Sequence, residues 1–314
     1  MCTAIHLSDD GLFGRTLDYE SSFGEGVVFT PREFMRIGEA RNRYAILGVG
    51  VVKENVTLYF DGMNEWGLCG AALNFEGRAE YHGVEDKKAG IPSAALLSFI
   101  LGFCRDVGEI KGLFRNVGIT ADTLFGMPPS PLHWIFADRT GAIVIESTDR
   151  GVRVMDNPYG VLTNSPDFDY QVTRLADYMS LSAGYPENEL TKAHLNCYSR
   201  GMGAIGLPGD FSSTSRFVRA AFVKENTKKL DGDGGKIGKM MHVLSSVSVP
   251  YGCVITRDGE SVSTRYTSVM DGEELTYYFK SYGNCALRAV KLYPEHTDMR
   301  VYPIYEKENI IKLN

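Results

Sequence analysis

Cys2 carries the strongest chemical potential in this chain, because of where it stands. Thr3 and Ala4 follow it, and only Met1 precedes it. A small residue after Met1 permits methionine removal, so Met1 is expected to be lost. Cys2 would then hold a thiol and an α-amine on one residue. The free amine titrates near pH 7.7–8.0, so part of it is neutral near pH 7 and can accept the thiol proton. This is the logic of an N-terminal threonine nucleophile. A nearby cation would favour the thiolate further. The plainer reading is a cysteine buried at the start of a strand.

The elements that must position Cys2 are legible beside it. Residues 2–7 and 12–17 read as strands of a hairpin closed at Ser8-Asp9-Asp10-Gly11. A two-residue loop at Asp9-Asp10 pairs Ser8 with Gly11, Leu7 with Leu12, Ala4 with Arg15 and Cys2 with Leu17. Cys2, Ala4, Arg15 and Leu17 then share a face, and Arg15 lies diagonally within reach of the thiol. Asp18 falls just past the strand end, beside the Cys2 amine. A slip of one residue would reverse the faces. Arg15 and Asp18 could polarise the thiol and hold the amine, or could form a surface ion pair of little energetic weight.

More distant residues could complete an acyl-transfer site. Asn74 and Asn164 each stand at a probable strand end, in Leu73-Asn74-Phe75 and Thr163-Asn164-Ser165-Pro166. An asparagine amide donates hydrogen bonds without charge, which suits an oxyanion. It is also ordinary turn chemistry. Arg216 lies in the first turn of a helix opened by Ser213-Thr214-Ser215, where the helix dipole disfavours a cation. Arg219, one turn on, reads as an ordinary surface residue. The six histidines are scattered, with no HExxH, GxSxG or GxxxxGK[ST] pattern, and read as structural or surface residues. No metal is expected.

Composition bounds the rest. The chain has 314 residues, with 44% hydrophobic and 23% charged, and a formal net charge of −6. That is ordinary globular composition, with no basic face for nucleic acid. The early Asp9-Asp10 argues against a secretory leader. The apolar run from Ala94 to Cys104 is too short to span a bilayer. The chain therefore reads as cytoplasmic, without stable membrane association. Its cysteines have no zinc spacing, and Cys69, Cys104, Cys197, Cys253 and Cys285 read as reduced, mostly buried thiols.

Strands are expected at 26–30, 44–52, 56–61 and 67–75. Small residues at Gly67, Gly70, Ala71 and Ala72 suggest close approach to a neighbouring layer. A charged, glycine-rich loop follows to Pro92. Ser93 is then expected to cap a helix to about 104, with a second helix at 107–117. Strands at 132–137 and 142–147 form a hairpin, and another strand-turn-strand covers 151–163. A helix runs from about Asp169 to Met179, and 182–211 is irregular. Helices at 212–228 and 236–247, broken by residues 231–235, precede strands at 262–270, 274–282, 286–292 and 299–304. Two antiparallel sheets face to face with helices outside fit this order. The expectation is one α+β domain over 1–314, a four-layer αββα sandwich.

Several stretches together resemble the choloylglycine hydrolases, a family of bile salt hydrolases and penicillin V acylases among the N-terminal-nucleophile hydrolases. They are the Met-Cys-Thr start, Phe13-Gly14-Arg15-Thr16-Leu17-Asp18, Asp61-Gly62-Met63-Asn64-Glu65, Gly67-Leu68, Leu73-Asn74-Phe75 and Leu132-His133-Trp134. Gly160 to Pro166, Tyr198-Ser199-Arg200-Gly201, Gly206 to Phe211 and Ser215-Arg216-Phe217 continue the series. Trp66 and Cys69 depart from the smaller or more polar residues common there. The resemblance implies an αββα fold, a homotetramer and no cofactor. It implies Cys2 as nucleophile and, through its amine, as base. Arg15, Asp18, Asn164 and Arg216 match its other active-site positions. Asn74 matches a position that is typically Asn in bile salt hydrolases and Tyr in penicillin V acylases, so it favours conjugated bile acids as the small-molecule substrate. Asn164 and the Asn74 backbone N–H would hold the oxyanion. Phe23, Leu132 and the segments 56–63 and 124–131 would meet the steroid, and Ser199 and Arg200 fall where glycine or taurine preference varies. The alternatives are a penicillin V or other N-acyl amidase, or a silent binding protein on the same scaffold.

Overall fold

The computed structural model describes residues 1–38, 40–82, 89–229 and 235–306. Residues 231–234 of the expected helix break at 231–235 and part of the loop before Pro92 lie outside them, and Gly235 opens a helix. Alternation in the strands decides the layering. Val27 and Phe29, Leu47 and Val49, and Ile135 and Ala137 join one core. Val28, Ile46, Trp134 and Phe136, one residue out of step, join another. A strand with both faces apolar must be covered on both sides.

The first sheet runs Val161–Leu162, Cys2–Leu7 (β1), Leu12–Tyr19 (β2), Ser261–Asp271, Thr276–Ser281, Asn284–Lys291. The second runs Gly151–Asp156, Gly141–Thr148, Leu132–Asp138, Cys69–Asn74, Val56–Asn64, Ile46–Lys53, Gly26–Thr30, Arg300–Pro303. Neighbours in both are antiparallel. Helices α1 (Leu96–Phe103) and α2 (Val107–Leu113) cover the outer face of the second sheet. Beyond α3 (Phe168–Leu175), α4 (Ser213–Asn226) and α5 (Gly235–Ser245) cover the first. The four-layer αββα order is therefore the observed one.

The opening hairpin has the expected register, with Cys2 opposite Leu17, Ala4 opposite Arg15 and Leu7 opposite Leu12. Its turn is a 3-10 turn over Ser8–Asp10, with Gly11 left-handed at φ +63°. Other details differ from expectation. Ser93 does not cap α1: it begins a 3-10 turn, and α1 starts three residues later. The second helix ends at Leu113 rather than 117, because β-branched Val117–Thr120 pairs in parallel with Ala89–Pro92, a stretch expected to be loop. Cys69 and Cys104 are buried, but Cys197, Cys253 and Cys285 are exposed, on the irregular arm, a turn and the edge strand.

Close packing of layers depends on the small residues at 67–72. A Cβ on Gly70 would lie 2.5 Å from the Phe136 ring and 3.0 Å from Leu97 Cδ1. The Phe136 ring is fully buried and has no room to retreat. Gly70→Ala is expected to destabilise the protein by about 1–3 kcal/mol, the usual cost of overpacking. Urea unfolding checks this, and an unchanged midpoint would contradict it.

Candidate active site

Strand β1 begins at Cys2, which is 3% exposed. The shared face of the hairpin brings Arg15 across to it. The Arg15 Nη2 donates to Cys2 Sγ at 2.7 Å, and Nη1 donates to the carbonyls of Phe60 (2.9 Å) and Ala72 (3.2 Å) on the facing sheet. Arg15 is thus a fully buried cation spanning the two sheets. Burial pulls its pKa down, but the Cys2 sulfur, then Tyr266 and Asp61, push it up more strongly, so it stays charged.

Arg216 approaches from the other side. The Ser212 side chain caps α4 by accepting from Ser215 N–H at 3.4 Å. Asp210 accepts from Ser212 N–H and the Ser215 hydroxyl, bonds that pull its carboxyl down to about 2. An anion here complements the helix N-terminus. The same turn aims Arg216 at β1. Its Nη1 donates to Cys2 O at 2.5 Å and Thr3 Oγ1 at 2.6 Å, and its Nη2 to Asn164 Oδ1 at 2.8 Å. Burial lowers its pKa, opposed by the negative charges of Asp18 and Cys2. The dipole's disfavour is met by four acceptors, the fourth being Phe211 O. Arg219 is not the ordinary surface residue expected. It is 9% exposed and ties α4 to the carbonyls of Ser246, Pro208 and Asp210.

Asn164 joins these groups. Its Oδ1 accepts from the Cys2 N–H at 2.8 Å as well as from Arg216, and two donors fix that atom as oxygen. Its Nδ2 donates to Asn74 O at 2.8 Å, which uses one of two N–H groups. Ser213 Oγ clamps the Asn164 backbone, accepting from its N–H (2.9 Å) and donating to its carbonyl (2.8 Å). Behind it, buried His133 bridges Glu146 and the Thr163 carbonyl while stacking on Phe75 at 4.2 Å. Sequence patterns offered no sign of this support beyond the Leu-His-Trp and Ser-Thr-Ser-Arg stretches themselves.

Asp18 is placed differently from expectation. Its buried carboxylate accepts from Thr264 Oγ1 (2.6 Å) and Thr16 Oγ1 (3.3 Å), where a bulge in Ser261–Asp271 turns Thr264 inward. Its backbone, not its carboxylate, holds the residue ahead of Cys2. Met1 ammonium donates to Asp18 O at 2.5 Å, and Asp18 N–H donates to Met1 O at 2.9 Å.

Of the other expected contacts, Phe23 is half-exposed and packs on Tyr19 (4.7 Å) and Phe60 (5.4 Å), whose carbonyl holds Arg15. Leu132 stands opposite Asn74 in register. Ser199 and Arg200 are exposed in the segment after Leu181. Among the described residues, no group of three His, Cys, Asp or Glu side chains could hold a metal ion, and no helix is long and apolar enough to cross a membrane. Sequence patterns gave no role to Asp61, Tyr266 and Tyr277, which read there as strand residues; here Asp61 lies 3.7 Å from Arg15 and accepts from both tyrosines.

The arrangement sets a buried cation against a thiol, holds the backbone of Cys2 from both sides and offers a spare amide N–H. Residues 2–305 match the model of the linear amide C–N hydrolases, choloylglycine hydrolase family. The bile salt hydrolase/transferase of Lactiplantibacillus plantarum is 40% identical over the whole of both chains. A mutant conjugated bile acid hydrolase from Clostridium perfringens superposes with a TM-score of 0.91, at 34% identity over the whole of both chains. The penicillin V acylase of Pectobacterium atrosepticum is 26% identical over 88% of this chain and 75% of its own.

Removing the Arg216 side chain strands Cys2 O, Thr3 Oγ1 and Asn164 Oδ1 in a buried site. Arg216→Met is expected to cost about 1–3 kcal/mol of folding stability, the scale of a buried group left unsatisfied. Equilibrium unfolding in urea measures it, and a variant as stable as the parent would contradict this account of the site.

Proposed function

This chain belongs to the choloylglycine hydrolase family of linear amide C–N hydrolases, and on that premise we propose that it hydrolyses the amide of glycine- or taurine-conjugated bile acids. The observation that carries the reading is the convergence of Arg15, Asn164 and Arg216 on Cys2. Full-length similarity to a bile salt hydrolase/transferase and Asn at position 74 favour bile salts over penicillin V.

In this reading Met1 is removed and the Cys2 nitrogen becomes an α-amine, held by the Asn164 Oδ1 that now accepts its N–H. Loss of Met1 frees the Asp18 backbone carbonyl and N–H that held it. The amine takes the thiol proton, and Arg15 stabilises the thiolate. Sulfur attacks the amide carbonyl. The oxyanion takes the spare Asn164 Nδ2–H and the Asn74 backbone N–H. The ammonium of Cys2 protonates the departing nitrogen as the C–N bond breaks, releasing glycine or taurine and leaving a thioester. A water then gives a proton to the amine and attacks the thioester, freeing the bile acid. The aromatic group of Tyr19, Phe23 and Phe60 gives the steroid an apolar surface beside Arg15.

Self-association belongs to the same reading. Met179, Tyr185, Leu190, Leu195, Tyr198 and Ile205 are 55–89% exposed, and exposed apolar side chains grouped in one stretch of chain suit contact between copies. A homotetramer is expected by light scattering at micromolar concentration, and a monomer would contradict it.

Comparison of glycocholate, taurocholate and penicillin V on Met-processed protein tests the substrate class. A bile salt is expected to be the better substrate, and a strong preference for penicillin V would reject the reading. Protein that retains Met1, identified by intact mass, is expected to be inactive. Asn164→Ala should lower kcat by about 10²–10³-fold, as for loss of one oxyanion donor. A near-parental kcat would remove Asn164 from the mechanism.

A further inference from the structure

The Asp61-Gly62-Met63-Asn64-Glu65 stretch has no part in the mechanism above, yet Asp61 lies behind Arg15. It is fully buried on the Val56–Asn64 strand, with Oδ2 3.7 Å from Arg15 Nη1. Three hydroxyls from the opposite sheet converge on it. Tyr266 donates to Oδ2 at 2.5 Å, Ser268 to Oδ1 at 3.3 Å, and Tyr277 also to Oδ1. Burial raises the pKa of Asp61, while Arg15 and the hydroxyls oppose that rise. Burial and the Asp61 charge hold Tyr266 and Tyr277 well above the usual tyrosine range, so both remain donors. Three donors converging on one carboxyl suit the ionised form, which accepts only.

Cys2 Sγ takes the Nη2 of the same guanidinium at 2.7 Å. We propose that Asp61 is a positioning residue that sets the ionisation of Cys2 by competing with the thiolate for the buried cation of Arg15. With Asp61 ionised, part of the guanidinium charge is already compensated, and the sulfur feels a weaker positive potential. The device restrains the thiolate. Too stable a thiolate would be abundant but a poorer nucleophile. The inference deepens the reading of Cys2 as the nucleophile, yet it does not depend on which amide is cleaved.

Other charges also face the thiol. Asp18 shares β2 with Arg15, Arg216 comes from α4, and Tyr19, also near Glu76, feels the Cys2 charge. The α-amine adds its own titration in processed protein. All of these are common to parent and Asp61 variants, so differences between them isolate Asp61.

The test is the pH dependence of Cys2 alkylation by iodoacetamide in Met-processed protein. It is read on the N-terminal peptide by mass spectrometry because Cys197, Cys253 and Cys285 are exposed and would react too. In Asp61→Asn the midpoint is expected to fall by about one pH unit, the scale of one neighbouring charge. The plateau rate should fall about two- to threefold, because a more stable thiolate attacks more slowly. Asp61→Ser, which leaves space for water, should move the midpoint the same way and serves if the amide variant folds poorly. In an Arg15→Met background the shift should shrink, since the shared cation is gone. An unmoved or raised midpoint in a natively folded variant would overturn the proposal, as would a full shift without Arg15. No bile salt is used, so failure here is separate from failure of the substrate assignment.

Discussion

A cation buried between two sheets is the constraint on which this site rests. Arg15 is fully buried, and every donor it turns toward the site must find an acceptor. The carbonyls of Phe60 and Ala72 come from the second sheet, and the Cys2 sulfur comes from the first. The sheets must therefore face each other in one register for Arg15 to be tolerated. The same geometry puts the cation against the thiol. Fold and reactivity share this one contact, and Asp61 with its hydroxyl donors closes the network on the side away from Cys2.

Arg216 plays the complementary part from the helix layer. It holds the carbonyl of Cys2 and the amide oxygen of Asn164, while Asn164 holds the nitrogen of Cys2. The backbone of residue 2 is thus fixed at both polar atoms by side chains more than 160 residues away. In the proposed mechanism such fixation suits Cys2, whose own nitrogen would act as a base. Freedom to rotate would waste the alignment between amine and thiol. Ser213 fixes Asn164 in turn, and His133 holds the carbonyl of Thr163 next to it.

Much of this was legible in the sequence. Strand alternation and the turn at Ser8–Gly11 fixed the hairpin register, and so the pairing of Ala4 with Arg15. The order of strands and helices pointed to two sheets between helix layers. Resemblance to a family singled out Asn74, Asn164 and Arg216, which spacing alone could not join to Cys2. What remained hidden depended on contacts between layers. Tyr266, Ser268 and Tyr277 read as ordinary strand residues, because nothing local tells that their hydroxyls meet one carboxylate across the sheets. Arg219 read as a surface residue because its carbonyl partners lie on other segments. The parallel pair of Ala89–Pro92 with Val117–Thr120 was missed for the same reason, since its partners are separated by two helices.

The most direct test of the account is to trap the acyl-enzyme. Met-processed protein would be mixed with glycocholate or taurocholate, quenched in acid within milliseconds to seconds and examined as intact protein and as peptides by mass spectrometry. The account predicts a mass gain equal to one cholyl group, confined to the peptide that begins at Cys2 and lost on treatment with hydroxylamine, as a thioester requires. An acyl group on any other residue, or bile salt turnover by a Cys2→Ala variant at the parental rate, would contradict it.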